Sequence, residues 1–96
     1  MNDYNDFLKV GLEIDAITLG KEVSTALILS ELYSQEYLDN EDLARDKVSE
    51  LLQLIYKVSE LEQKAYIYNL NGVVESCRDY ITMIEEQMNE LRKSYM

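Results

Sequence analysis

The sequence predicts an all-α chain: a small bundle of about four helices whose last two form an antiparallel, coiled-coil-like hairpin. Three observations carry that expectation. Proline is absent and glycine occurs only three times, whereas small sheet proteins need turn residues at short intervals. Apolar residues recur at alternating spacings of three and four over two long segments, 51–68 and 74–95. Between those segments stands Asn69-Leu70-Asn71-Gly72, the clearest turn in the chain. With 96 residues, 47% of them hydrophobic, residues 1–96 are expected to form a single domain.

The first helix is expected from about Asp3 to Leu19, capped by Asp3, with early acids that suit the helix dipole. Phe7, Val10, Ile14 and Ile17 make one stripe, and Leu8, Leu12, Ala16 and Leu19 an adjacent one. Together they form a wide apolar face in need of cover. Gly20 either ends this helix or kinks it. The second helix, Lys21 to Leu38, is apolar all round through Val23, Ala26, Leu27, Ile28, Leu29, Leu32 and Tyr33, which places it at the centre of the bundle.

Asp39 or Asn40 then caps a third helix running to about Tyr68. Its seam is Leu51, Leu54, Val58, Leu61, Ala65 and Tyr68, widened by Val48 and Ile55. Glu41–Arg45 and Glu60–Lys64 stand as i,i+4 pairs in the favourable order. Asn71 and Gly72 tolerate positive φ and turn the chain. The fourth helix carries Val74, Cys77, Ile81, Ile84, Met88, Leu91 and Tyr95 in an unbroken three-four alternation. Two such helices joined by a short turn pack seam to seam, and the first two helices cover one side of that hairpin or pair with a second copy.

Several chemistries are excluded. There is no histidine, so histidine catalysis and a helical di-iron site of the Glu-x-x-His kind are ruled out. A lone cysteine, Cys77, permits neither an intrachain disulfide nor a thiolate zinc site, and its place on the fourth seam is that of a small buried residue. The glycines stand apart at Gly11, Gly20 and Gly72, so no phosphate-binding loop exists. Counted from Asp39, Glu50 falls at the twelfth position of a calcium loop. Leu43 and Ala44, however, occupy positions that require an oxygen ligand and a glycine. Adjacent carboxylates such as Glu85 and Glu86 point about 100° apart on a helix and do not converge. The chain is therefore expected to be no enzyme and to need no cofactor or metal.

The net charge is −10, and the acids concentrate toward the start: residues 1–50 hold 12 acids and 4 bases, residues 51–96 hold 7 and 5. Such a field repels nucleic acid and anionic lipid and steers basic partners inward. The run Met1-Asn2-Asp3-Tyr4-Asn5-Asp6 lacks the basic and apolar segments of a signal peptide, and Ala26-Leu27-Ile28-Leu29 is too short to cross a bilayer, which leads to the expectation of a cytoplasmic location, or a host's cytoplasm.

The candidate partner-binding residues are Glu31, Tyr33, Glu36, Tyr37, Asp39, Glu41 and Asp42, where acids without a base interleave with aromatics. They point to a non-enzymatic interaction or regulatory module, a homodimer, that binds a protein partner with a basic surface. An alternative is an acidic inhibitor, encoded by a phage or mobile element, that fills the basic groove of a nucleic-acid-handling enzyme. A second alternative is a small-ligand binder that stacks a nucleotide on the tyrosines, with Lys57, Lys64 and Arg78 as its candidates for phosphate.

Ser30-Glu31-Leu32-Tyr33, Asp46, the Glu-rich third helix, Asn71 and Met88-Asn89-Glu90-Leu91 together resemble small all-helical bacterial regulators of the YlbF/YmcA type. Those chains are usually longer between the third and fourth helices. The resemblance implies a non-enzymatic partner in multiprotein complexes and assigns no residue a role.

Overall fold

In the computed structural model, which describes residues 3–93 and 95, the chain is all-α. Helices α1 (Asp3–Leu32), α2 (Ser34–Asp39), α3 (Glu41–Ile67) and α4 (Asn71–Arg92) follow one another with short breaks. The three long helices run side by side, up-down-up, in a rod of 58 × 19 × 17 Å, with α1 antiparallel to α3 and parallel to α4. Glu22 on α1 meets Lys57 on α3, and Ser30 near the end of α1 meets Gln87 near the end of α4.

The break expected at Gly20 is not there. α1 passes straight through it as a helix of 30 residues. Glycine costs such a helix about 1 kcal/mol relative to alanine. Its reason lies across the bundle: a Cβ at this position would stand 2.6 Å from the Tyr80 hydroxyl and 3.2 Å from Cζ, so the missing side chain is what lets α4 come close. The chain bends instead at Tyr33, where φ −104° and ψ 20° leave helical values. The side chain of Asp3, expected to cap α1, lies outside the described residues.

Residues 21–38 are also not buried all round. Val23 and Ser30 are fully buried and Ala26 and Leu27 half-buried, while Ile28, Leu29 and Leu32 face out. The first helix departs from expectation in the same way. Leu12 and Ala16 enter the core, with Leu8 and Leu19 half-buried beside them, whereas Phe7, Val10, Ile14 and Ile17 remain exposed. α1 thus shows one apolar stripe to the bundle and a second to the outside.

The hairpin follows the seam. Leu51, Leu54, Val58 and Leu61 from α3 meet Cys77, Ile84, Met88 and Leu91 from α4, with Ala65 and Val74 buried toward the turn and Ile81 half-buried at the edge. Asn40 caps α3 by accepting a hydrogen bond from the Leu43 amide at 3.2 Å. The turn uses a different residue from the one expected: Asn69, at φ 60°, takes the left-handed conformation, and Asn71 and Gly72 already belong to α4. The Leu70 amide donates to the Ala65 carbonyl at 2.9 Å and the Asn69 amide to the Tyr66 carbonyl at 3.1 Å. This pair of bonds is a Schellman cap, which absorbs carbonyls that α3 would otherwise leave orphaned. The Glu41–Arg45 and Glu60–Lys64 pairs form at 2.8 Å and 3.6 Å.

The α3 seam extends further toward the start than apolar residues mark. Ala44 and Lys47 continue the three-four spacing and both are buried; the Lys47 amine emerges to meet Glu50 at 3.3 Å. A lysine on a seam lays its stem along the core and constrains register at some cost in stability. Lys47→Met keeps the stem and removes the charge, so it is expected to raise the urea midpoint by the equivalent of about 1 kcal/mol. An unchanged midpoint would show that the Glu50 pair balances desolvation, and a lowered one that it outweighs it; either overturns the expectation.

Candidate partner-binding surface

The end of α1, the six-residue α2 and the first turn of α3 form a knuckle at one end of the rod. Six of the seven candidate residues are exposed there: Glu31, Tyr33, Glu36, Asp39, Glu41 and Asp42. Tyr37 is half-buried and packs against the core. Burial pushes its phenol up, and the nearby charges of Glu50 and Glu36 push it further the same way. It works as an anchor that holds α2 down and presents little to a visitor.

Exposed apolar side chains stand among the acids. Leu32 is 70% exposed, Leu38 59% and Tyr33 50%, and Leu43 opens the first turn of α3. Of the five acids, Glu41 alone has a cationic partner among the described residues, the Arg45 guanidinium. Arg45 is in turn held 4.6 Å over the Tyr95 ring, and its pKa is raised by the hydrogen bond and charge of Glu41. Glu41 and Asp42 also complement the positive end of the α3 dipole, a structural use for part of this charge. Glu36 stands likewise in the first turn of α2, while Glu31 and Asp39 have no such use.

The bases proposed for a nucleotide are otherwise engaged. Lys57 holds Glu22 at 3.4 Å, Lys64 holds Glu60 at 3.6 Å and Arg78 reaches across the hairpin to Glu62 at 3.1 Å. The tyrosines do not gather into a stacking box: Tyr4, Tyr56 and Tyr66 are exposed at separate places, and Tyr68, Tyr80 and Tyr95 are half-buried boundary residues. Cys77 is fully buried, and burial first, then the charge of Glu62, pushes its thiol up. From Glu41 onward the calcium-like spacing is wound into α3, which turns its acids to different sides; no three Asp, Glu or Cys side chains converge among the described residues.

Two features escaped the sequence reading. One is a groove between α1 and α3 where Lys21, Lys47 and Lys57 gather beside Glu22 and Glu50. These lysines are far apart in sequence and no local pattern announces them. The other is the outward stripe of α1, which was visible as a stripe but not as the one left uncovered. No helix among the described residues is long and apolar enough to cross a membrane. No family model matches the chain, and neither a curated protein nor a solved structure matches it.

Proposed function

We propose that the chain is a non-enzymatic interaction module that binds a protein partner through the knuckle where α1, α2 and α3 meet. The observation that carries this reading is four carboxylates, Glu31, Glu36, Asp39 and Asp42, that form no ion pair among the described residues, interleaved with exposed Leu32, Tyr33 and Leu38. A matching surface is basic and partly apolar: the charges steer encounter and set register, and the side chains between them supply contact area. A second reading uses the same surface. In a narrow rod of net charge −10, with its acids weighted to residues 1–50, the basic surface can be the groove in which an enzyme normally holds nucleic acid.

The test compares the wild type with a variant carrying Glu31→Gln, Glu36→Gln, Asp39→Asn, Glu41→Gln and Asp42→Asn. Each is immobilised and offered the soluble proteins of the cell of origin. The wild type is expected to retain a basic partner at about 0.1 M salt and release it by about 0.5 M, as screening predicts. The variant is expected to lose that partner while its helical circular-dichroism signal is unchanged. Equal retention by the variant places the contact elsewhere. Release of the partner by added duplex DNA selects the inhibitor reading, and indifference to DNA selects the adaptor.

A further inference from the structure

The outer face of α1 is a second seam. Positions 7, 10, 14, 17, 21, 24 and 28 alternate by three and four, the same spacing that zips α3 to α4, and only Lys21 and Ser24 interrupt the apolar run. Phe7 is 75% exposed, Val10 54%, Ile14 56%, Ile17 62% and Ile28 57%. The inner face of the same helix is already committed through Leu12, Ala16, Val23 and Ser30. No rotation about the helix axis can therefore bury the outer stripe without exposing the inner one. Beside Phe7 the stripe widens onto α3, where Ile67 shares a groove with it and is 72% exposed.

We infer that this face is covered by α1 of a second copy, paired antiparallel. The area suffices. Six side chains offering roughly 100 Å² each bury about 1,200 Å² over both copies, the lower bound of a specific interface. The charges choose the orientation. Parallel pairing would set two acidic knuckles side by side and Lys21 against its own copy. Antiparallel pairing moves the knuckles to opposite ends of a helix about 45 Å long, several Debye lengths apart. Keeping the three-four layers of the two copies in step sets Val10 across from Ile28 of the second copy, and Phe7 across from Glu31 beside the exposed Leu32. It also sets the two polar interruptions across from isoleucines: Ser24 opposite Ile14, and Lys21 opposite Ile17, along which its stem can lie while the amine reaches water. The flank at Gly11, Thr18 and Thr25 carries no charge to oppose approach.

Light scattering on the purified chain alone, from about 1 µM to about 500 µM, reads the association directly. The wild type is expected to reach twice its monomer mass, and Ile17→Asp to stay monomeric with the same helical signal. For orientation, Val10→Cys and Ile28→Cys are oxidised separately and mixed; only the mixture is expected to give a covalent dimer, and Cys77 is buried and stays out of the reaction. A wild type that remains monomeric throughout, an Ile17→Asp variant that still dimerises, or efficient cross-linking of Val10→Cys with itself would each overturn the proposal. No partner is present in these experiments, so their outcome is separate from that of the knuckle.

Discussion

Ile84→Asp is expected to unfold the chain. Ile84 is fully buried in the middle of α4, within the cluster that joins Leu51, Leu54, Val58, Met88 and Leu91. Removing the aliphatic side chain forfeits about 2–3 kcal/mol of burial. The carboxylate that replaces it either stays charged without a partner, at a cost of several kcal/mol, or takes up a proton at a cost of similar order. The sum is comparable with the whole stability of a domain this size, about 5–15 kcal/mol. Circular dichroism at neutral pH is expected to lose most of its helical signal, and the urea transition to vanish. A cooperative transition at the wild-type midpoint would refute the seam.

Val23→Asp is the second large effect, and it tests the two-sided character of α1. Val23 is fully buried, one turn beyond Gly20 on the side that faces the hairpin. An acid there is expected to cost at least 3 kcal/mol and to release α1 from α3 and α4. Six residues earlier on the same helix, Ile17→Asp is expected to alter only self-association, because Ile17 already meets water in the single chain. Urea denaturation of both variants at about 1 µM separates the two cases. Equal destabilisation would mean that α1 has one buried face and that the other stripe was wrongly placed outside.

The hairpin was legible because its signal is redundant. Leu51 to Tyr68 and Val74 to Tyr95 each repeat one spacing over several turns, and a short turn between them leaves a single way to pair. α1 was harder to read because its apolar residues cover two opposite sides. A pattern of that kind marks apolar faces without saying which neighbour is near, so the choice between Phe7 and Leu8, or between Val23 and Ile28, is made by tertiary packing. Gly20 misled for a similar reason: glycine is a local signal for a helix end, but here it answers Tyr80, which lies sixty residues away in sequence. Lys47 hid the start of the α3 seam because a pattern of apolar letters does not register a buried stem. In the knuckle, composition was enough to nominate Glu31 to Asp42; which of those side chains are free and which are anchored, as Tyr37 is, required the packing.

Ser30 and Gln87 join α1 to α4 through one hydrogen bond of 2.8 Å, with Ser30 wholly inside. Aliphatic rows with a regular repeat resemble a ladder with equal rungs, on which a helix slid by one turn still finds grease against grease. The amide and the hydroxyl supply the mark that tells the rungs apart. A shift of about 5 Å along the axis would leave the buried Ser30 hydroxyl without a mate, at about 1–3 kcal/mol, whereas the half-buried Gln87 amide can turn to water. That penalty indexes the position of α1 on the hairpin, and with it the height at which the acidic end projects from the rod.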